Sequence, residues 1–403
     1  MKILMLADVF FPDTVGGAGR VVHHLSNELS IRGHEVHVLT RNTGGKLPNY
    51  QMMNPNLFVH RFFSPKNESL ILFISESKNS YFICKKLTRD ISFDLVCTHQ
   101  SLVAIGPLMS RHLKQTPFIH YFHSPWHEEF LVKKQGYRGK LGKKNKAVAL
   151  LMRHIEKRIL FKAAKVIVLS QYMLGKVLEI HQYPESKMVK IPGGVDLNRY
   201  HLPAGGKPIA KKAVKFSRGK IVFLTVRNLV PRMGIESLIE AFHRSDILRR
   251  KGFLFIGGKG FLENRLKSMV RNFGLQNTIR FLGHIPEEDL PQMYQAADFF
   301  VLPTRELEGF GLVIIEAMAS GTPVLGTPIG AISEVIGAFD QKLIFEGTGW
   351  QDMKNKLEEV IESPDRFRFD PEICRAFVEE SYSWNQVAKV FEQEAKRLVE
   401  KEK

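Results

Sequence analysis

Short apolar runs alternate with longer amphipathic stretches along both halves of the chain. Runs rich in Val, Ile, Leu and Phe predict strands in the first half at 2–7, 35–40, 94–98, 117–122, 165–169 and 188–191. In the second half they predict strands at 220–226, 252–257, 278–282, 298–302, 323–326 and 342–345. Helical stretches such as 18–32 and 102–114 separate the runs. Apolar runs linked by helices are typical of parallel strands covered on both faces, so the pattern predicts an α/β protein with two doubly wound domains.

The predicted domains are residues 1–202 and 220–384. Between them, the segment 203–219 begins with the proline- and glycine-rich sequence Pro203 to Pro208, which is typical of a linker. The last segment, about 385–403, has the pattern of a charged helix. It can pack on either domain, including back onto the first.

Composition excludes several classes of protein. Hydrophobic residues make up 44% and charged residues 25% of the 403 residues, which is ordinary for a chain that buries a core and excludes a disordered or collagen-like protein. The three cysteines include no CxxC pair, which argues against a disulfide framework or a zinc site. No apolar run reaches the roughly 18 residues of a spanning helix, and Met1 to Asp8 is typical of a buried strand rather than a signal peptide. We therefore expect a cytoplasmic protein without an anchor.

The positive charge is concentrated in the first half. Of the net charge of +17, residues 1–200 carry 29 Lys and Arg against 14 Asp and Glu. A positive electrostatic field of this kind indicates an anionic partner rather than a particular fold. The partner can be nucleic acid, an anionic membrane surface or a phosphorylated substrate. The run 133–146 has seven basic residues and no acid, and is either a solvated loop or a lid that attracts phosphate or lipid. No helix-turn-helix, RRM or zinc pattern is present, so nucleic acid is the least favoured partner.

A glycine-containing loop precedes a helix predicted to begin near Gly311. Glu308 lies in the loop, and Glu316 lies about a turn and a half inside the helix. Backbone N–H groups at a helix N-terminus attract a diphosphate, and glycine lets the backbone approach it closely. The two carboxylates would repel phosphate but can accept hydrogen bonds from sugar hydroxyls on either side of it. Because the residues around Glu316 are apolar, a buried glutamate there favours a ligand role over a solvated one.

Several separated segments share the order and spacing of one enzyme family. They are Phe11-Pro12 with Gly16-Gly17, Gly33 to Val36, 122–126, 191–196, 229–234, 257–260, the run EGFGLVIIEAMASGTPV from Glu308, and 382–384. With these motifs the chain resembles the retaining glycosyltransferases of family 4, also called glycosyl transferases group 1. The resemblance implies the GT-B fold, two Rossmann-like domains facing across a cleft, and transfer of a sugar from a nucleotide sugar.

The resemblance also implies roles for the loop residues. In similar enzymes the second glutamate, here Glu316, binds the ribose hydroxyls, and the first, here Glu308, faces the transferred sugar and the reacting centre. The amides around Phe310, Gly311 and Leu312 would hold the diphosphate.

The phosphate clamp departs from the family pattern. The family places an Arg and a Lys after the first strand of the second domain, where this chain has Asn228 and Met233. Arg227 and Arg232 each lie one residue earlier, and we expect them to bind the diphosphate. The alternative for each is a structural or surface arginine.

Candidate residues in the first domain follow its strands. Gly16 and Gly17 open the helix after the first strand, as part of a donor phosphate site or as a tight turn. His123 ends a strand at the edge where open α/β sheets bind ligands, and the resemblance places it against the donor sugar. His120 is interpreted as structural. We assign Trp126 and Glu129 to the acceptor side.

The sequence thus predicts a retaining glycosyltransferase without a cofactor or metal, because no DxD pair or metal-ligand cluster is visible. A UDP- or GDP-sugar is favoured over an ADP-sugar as donor. The acceptor is expected to be a lipid-linked or anionic glycan precursor, with the basic domain docking on the inner face of the plasma membrane. A soluble acceptor remains an alternative, as does a non-transferase relative such as a nucleotide-sugar epimerase.

Overall fold

The computed structural model describes residues 1–13, 16–65, 70–138, 142–214 and 219–401. The chain divides into two compact units. The first unit comprises Met1–Gly194 with Trp384–Lys403, and the second comprises Val195–Ser383.

The first unit contains an eight-stranded sheet. Its strands are β1 (Lys2–Ala7), β2 (Glu35–Thr43), β3 (Tyr50–Asn54), β4 (Leu57–Ser64), β5 (Leu95–Thr98), β6 (Phe118–Phe122), β7 (Lys165–Val168) and β8 (Met188–Lys190). They lie in the order β3-β4-β2-β1-β5-β6-β7-β8, and all neighbours are parallel except β3 and β4. The centres of β1, β2, β5, β6 and β7 are buried, as their apolar runs predict.

Helices connect these strands. They are α1 (Gly17–Ile31), α2 (Leu70–Asp90), α3 (Ser101–Ala104), α4 (Trp126–Arg138), α5 (Lys143–Lys162) and α6 (Gln171–His181), with short 3-10 turns at Pro107–Met109, Arg111–Leu113 and Glu185–Lys187. Parallel neighbours need such crossovers, which place the carboxyl ends of the strands at one edge of the sheet.

The second unit contains a five-stranded parallel sheet. Its strands β9 (Ile221–Val226), β10 (Gly252–Gly257), β11 (Ile279–Gly283), β12 (Phe299–Leu302) and β13 (Val324–Gly326) lie in the order β11-β10-β9-β12-β13. Its helices are α7 (Lys207–Ala213), α8 (Ile235–His243), α9 (Asp246–Lys251), α10 (Glu263–Asn272), α11 (Leu290–Ala296), α12 (Leu312–Ala319), α13 (Ile332–Phe339), α14 (Trp350–Glu362), α15 (Pro364–Phe367) and α16 (Pro371–Tyr382). Short 3-10 turns lie at Pro231–Met233 and Gln341–Leu343.

The last helix, α17 (Trp384–Lys401), packs on α1 in the first unit. Its first side chain, Trp384, stacks on His24 with ring centroids 5.1 Å apart. A Cβ atom at Gly194 would lie 2.5 Å from the same indole, so only glycine fits there. Arg32 at the end of α1 donates to Glu392 over 3.2 Å. These contacts place the C-terminal helix with the first unit.

The division between the units differs from the predicted linker at 203–219. The second unit begins at Val195, and α7 occupies part of the predicted linker. The Lys207 ammonium donates to the Ala297 carbonyl over 2.6 Å, and Lys211 pairs with Asp298 at 2.5 Å. The proline and glycine residues resemble a linker, but two lysines anchor the segment to the second unit. Residues 215–218 lie outside the described residues.

Two local predictions were wrong, and one hairpin was missed. The predicted helix 102–114 breaks into α3 and two 3-10 turns, because Pro107 starts a new turn after Gly106. The predicted strand 342–345 is a 3-10 turn followed by a single bridge between Ile344 and Gly326. The hairpin β3–β4 was missed, and its antiparallel edge makes the first sheet mixed rather than wholly parallel.

Candidate active site

The loop after β12 leads into α12 through a left-handed glycine. Gly311 caps the helix with a φ of 82°, a conformation that side chains rarely adopt, and a Cβ atom would lie 2.8 Å from the Ile314 side chain. Phe310 and Gly311 are buried, and Leu312 is the first helical residue. The first N–H groups of a helix have no partner within it, which makes this terminus suited to an anion. This is the terminus at which the sequence predicts the diphosphate, and that assignment stays a prediction.

Arg227 and Glu308 form an ion pair beside this helix terminus. Arg227 Nη2 donates to Glu308 Oε2, and it donates to Thr304 Oγ1 over 3.3 Å. The two side chains are 9% and 14% exposed, so the pair is largely removed from water. The Glu308 carbonyl accepts from the Ala331 amide over 3.0 Å, which fixes its backbone against the start of α13. A positive and a negative group therefore lie together at the predicted reacting centre.

The guanidinium of Arg227 also lies against the residue in the family's lysine position. Its Nη2 and Nε atoms are 3.0 and 3.2 Å from the Met233 sulfur. Met233 is buried and carries no charge, and Asn228, in the family's arginine position, is exposed. Arg227 therefore places a positive charge against Met233, the position where the family pattern has a lysine.

Arg232 points to the backbone of the glutamate loop. Its Nη1 donates to the Leu307 carbonyl over 3.0 Å, and its own carbonyl accepts from the Arg305 amide over 2.7 Å. Leu307 has a φ of 51°, an uncommon left-handed conformation for a residue with a side chain. The side chain of Arg232 thus supports the loop conformation immediately before Glu308.

Glu316 lies inside α12 and is 4% exposed. Its Oε2 accepts a hydrogen bond of 3.2 Å from the hydroxyl of Tyr294, which is fully buried on α11. Sequence analysis missed Tyr294, because an aromatic residue in an apolar helix gives no sign of a carboxylate partner. The tyrosine orients the carboxylate and offsets part of the cost of burying it.

In the first unit, His123 directly follows β6 and pairs with a second histidine. His123 Nε2 lies 3.1 Å from His99 Nδ1, and the two rings stack. Burial, aided by nearby His120, lowers the pKa of His123 to about 3. The imidazole is therefore neutral near pH 7 and can hydrogen-bond a hydroxyl, but it supplies no charge to a diphosphate. His99 follows β5 as His123 follows β6, so the same strand-end rule could have found it.

His120 is buried below this pair. Its Nδ1 lies 2.6 Å from Thr98 Oγ1 on the neighbouring strand β5, and the residue is 2% exposed. Burial lowers the pKa of His120 to about 4. The position matches the structural interpretation of this histidine.

Trp126 and Glu129 lie in the first turn of α4. The Trp126 amide donates to Glu156 Oε1 over 2.9 Å, and Glu129 accepts from the Ser124 hydroxyl over 2.6 Å. Glu156 is 2% exposed, and its Oε2 lies 3.3 Å from His127 Nδ1 and 2.9 Å from His181 Nε2. Burial alone would raise the pKa of Glu156, but the hydrogen bonds outweigh it and lower the pKa.

This buried group fixes the start of α4, and sequence analysis missed it. The three residues lie on different helices, α4, α5 and α6. Their spacing along the chain carries no motif. Only the packing of these helices brings the two imidazoles to one carboxylate.

The two remaining sequence predictions concern glycine and charge. Gly16 and Gly17 lie at the N-terminus of α1, and both are exposed. This position is compatible with both predicted roles, a donor phosphate site and a tight turn. The sequence left the basic run 133–146 as either a solvated loop or a lid, but α4 continues to Arg138 and α5 begins at Lys143. Residues 139–141 lie outside the described residues.

Three further findings bear on the chemistry. Within the described ranges, no group of three or more His, Cys, Asp or Glu side chains is placed to hold a metal ion. Over the same part of the chain, no helix combines the length and apolarity needed to cross a bilayer. Cys84, Cys97 and Cys374 are all buried free thiols.

We expect the first unit to lose stability in mild acid. Burial lowers the pKa of His120 and His60 to about 4 and that of His123 to about 3, from 6.5. Below pH 6.5 the unfolded chain binds protons that the folded unit does not, so stability falls as pH falls toward 4. At pH 5 each imidazole contributes up to about 2 kcal/mol of this loss. Burial raises the pKa of Asp8 to about 6, so protonation of this carboxyl stabilises the folded unit as pH falls. This single group offsets only part of the loss from the three histidines.

Calorimetry at pH 7 and pH 5 measures this effect. The melting temperature should be lower at pH 5, and His120→Gln should reduce the difference between the two values. Equal melting temperatures at both pH values would contradict the prediction.

Two family models match the chain in succession. The model "Glycosyltransferase Family 4" matches residues 15–199, and the model "Glycosyl transferases group 1" matches residues 206–384. The folds of the two units and these matches define the chain as a GT-B glycosyltransferase. It belongs to family 4 of the glycosyltransferases, which confirms the predicted resemblance and fold.

Curated relatives and solved structures agree with this family. The chain is 26% identical over 368 residues to D-inositol 3-phosphate glycosyltransferase of Nocardia farcinica, covering 88% of this chain and 78% of that protein. It is 32% identical over 203 residues to the GDP-mannose-dependent monoacylated alpha-(1-6)-phosphatidylinositol monomannoside mannosyltransferase of Corynebacterium glutamicum, covering 48% of this chain and 52% of that protein. Sucrose-phosphate synthase from Thermosynechococcus elongatus has the same fold, with a TM-score of 0.81, 22% identity and 99% of both chains covered.

Proposed function

We propose that this glycosyltransferase moves a sugar from a UDP- or GDP-sugar to an acceptor hydroxyl with retention of the anomeric configuration. The observation that carries the proposal is the arrangement at α12. A helix N-terminus, the Arg227–Glu308 ion pair and the buried Glu316 all lie on this one loop and helix or directly beside them.

The groups around α12 match the charges that arise during transfer. Negative charge grows on the diphosphate as the glycosidic bond breaks, and the helix terminus and Arg227 are placed to stabilise it. Glu316 accepts hydrogen bonds from the ribose hydroxyls. One oxygen of Glu308 accepts from Arg227, and the other is the proposed partner of a hydroxyl on the transferred sugar. In this arrangement Arg227 and the helix dipole supply the positive charge that a metal ion would otherwise provide.

Retention follows most directly from attack on the face that the diphosphate leaves. The leaving phosphate then takes the proton of the acceptor hydroxyl. Double displacement would need a carboxylate nucleophile against the anomeric carbon. Glu308 is the one carboxylate assigned to the reacting centre, and Arg227 already binds one of its two oxygens.

We propose a lipid-linked or anionic acceptor. The excess of positive charge in residues 1–200 supports this class. Two relatives are named for acceptors that carry phosphate, D-inositol 3-phosphate and a phosphatidylinositol mannoside. The relative named for D-inositol 3-phosphate favours a second candidate, a soluble phosphorylated acceptor. A lipid-linked acceptor would instead place the protein on the inner face of the plasma membrane, held by its basic first unit.

Nucleoside diphosphates test the donor site without knowledge of the sugar or acceptor. We expect UDP or GDP to raise the melting temperature, because a ligand at 100 times its Kd stabilises the native state by about 2.7 kcal/mol. Glu316→Ala should reduce the shift strongly by removing the ribose contact. Adding a chelator should leave the shift unchanged.

Two results would contradict the proposal. One is the absence of any shift with UDP, GDP and ADP, and the other is an equal shift in the wild type and in Glu316→Ala. Where a product forms, the proton coupling at its anomeric carbon measures retention directly. Conversion of the donor to an epimer without release of nucleotide would support the epimerase alternative.

A further inference from the structure

An apolar groove of about 700 Å³ lies in the first unit between α2 and α5. Ile74 and Tyr81 of α2 form one wall, and Leu151 and Ile155 of α5 form the other. The floor includes Gly106, where a Cβ atom would lie 2.0 Å from the Ser77 carbonyl oxygen of α2. Glycine is therefore required for the floor to approach α2. The volume is within the usual range of small-molecule sites, roughly 300–1,000 Å³.

Large apolar side chains of this groove are open to solvent. Ile74 is 72% exposed, Met109, which also lines the groove, is 70% exposed, and Leu151 is 49% exposed. Leu150, beside Leu151 on α5, is 67% exposed. Apolar side chains gathered in one exposed patch indicate a surface that binds a partner.

Basic side chains around the groove favour an anionic partner. Lys78 lines the groove, and the Lys85 ammonium lies 5.8 Å from the centre of the Tyr81 ring. On α5, Lys144 and Arg158 lie at helical spacing from Val148, Leu151 and Ile155, so they continue the groove wall at both ends.

Acidic residues do not balance these cations. The acidic residues of α2 are Glu76 and Asp90, and that of α5 is Glu156. Glu76 and Glu156 are buried, and Asp90 is the last residue of α2. The groove thus combines an apolar interior with a basic rim, as do surfaces that enter an anionic bilayer.

One end of the groove reaches the predicted acceptor side. Phe73, which lines the groove, packs against Trp126 with ring centroids 5.5 Å apart. Trp126 is fixed through its amide to buried Glu156, and His123 lies three residues earlier in the chain. A chain lying in the groove would therefore place its polar head near the residues assigned to the acceptor.

We propose that this groove holds the hydrocarbon chain of an anionic lipid that carries the acceptor hydroxyl. The proposal rests on the proposed function for the role of that lipid as acceptor. The apolar walls bind the chain, and the lysines and arginine at the rim bind the anionic surface from which the chain rises. Trp126 lies where the chain meets the head group.

Brominated lipids test the groove through the fluorescence of Trp126. The chain has three tryptophans, and Trp126 is the one in contact with a groove residue among the described contacts. The probe is a vesicle of phosphatidylcholine with about 30 mol% phosphatidylglycerol whose acyl chains are brominated. We expect quenching that disappears in Trp126→Phe. Vesicles of brominated phosphatidylcholine alone should cause little quenching.

Ile74→Glu provides the groove variant, and Ile31→Glu is its matched control. Ile31 is 69% exposed at the end of α1, so the two substitutions change equally exposed isoleucines. We expect Ile74→Glu to abolish the quenching and to weaken vesicle binding about tenfold, and Ile31→Glu to leave both unchanged. Met109→Glu, at another lining residue, is a second variant that should act like Ile74→Glu. Thermal melting verifies that each variant is folded.

Two outcomes would overturn the groove proposal. One is vesicle binding without quenching, which would mean attraction by charge alone. The other is equal quenching in Ile74→Glu, Met109→Glu and the wild type. The quenching needs no donor, so it is independent of the nucleotide test of the proposed function. Both groove variants should keep the nucleotide-induced shift in melting temperature, since they leave the second unit unchanged.

Discussion

Glu308→Gln should lower the rate of sugar transfer by about 10²–10³-fold while nucleoside diphosphate binding changes little. The amide keeps the size of the side chain and still accepts a hydrogen bond from Arg227. It loses the negative charge that we assign to the transferred sugar and the reacting centre. Initial rates at saturating donor, measured with a labelled nucleotide sugar, report the change.

Glu306→Gln is the matched control on the same loop. Glu306 is exposed, whereas Glu308 is largely buried, and both substitutions remove one negative charge. The control should transfer sugar at the wild-type rate. Near-normal transfer by folded Glu308→Gln would show that this carboxylate is not at the reacting centre.

The strands of both sheets could be predicted from the sequence because they are buried on both faces. Apolar runs such as 2–7 and 252–257 fall on β1 and β10, since fully covered strands need apolar side chains in both directions. The hairpin β3–β4 escaped prediction. Four of the five residues of β3 are exposed, and such an edge strand has no continuous apolar run.

Some residues of the candidate site could likewise be predicted from the sequence, and others could not. Glu308, Gly311 and Glu316 are close in sequence, so their placement around a helix terminus follows from local pattern. The partners Tyr294 and His99 depend on which elements become neighbours. His99 meets His123 because β5 and β6 pair in parallel, with Thr98 opposite His120. Such contacts follow from sheet order, which residue spacing alone does not specify.

The direction of the Arg227 side chain could not be predicted from the local sequence pattern. Aligned by sequence, Arg227 stands one place before the family's arginine, and a shift of one residue on a strand reverses the direction of the side chain. Arg227 lies just beyond β9, where the alternation of the strand no longer applies. Its long side chain reaches Met233 and Glu308 from there.

Arg227→Leu should therefore lower transfer by about 10²–10³-fold, with Arg232→Leu as the matched control. Arg227 lies at Glu308, and its loss removes positive charge from the proposed diphosphate site. The Arg232 guanidinium reaches the Leu307 carbonyl, so we expect its loss to reduce transfer by about tenfold or less, through the loop conformation. Donor Kd and transfer rate, measured for both variants, separate the two roles.

A second substitution tests whether Arg227 replaces the family's clamp. Met233→Lys places an ammonium at the position against which the Arg227 guanidinium packs. In the Arg227→Leu background it should recover at least about tenfold of the lost rate, because a positive charge at this position stabilises the charge that develops on the leaving diphosphate. No rescue, or a loss from Arg232→Leu as large as that from Arg227→Leu, would contradict a clamp at Arg227. Rescue by Met233→Lys would show that the Arg227 guanidinium and a lysine at position 233 supply positive charge to the same place. That would explain why this chain has methionine where the family has lysine.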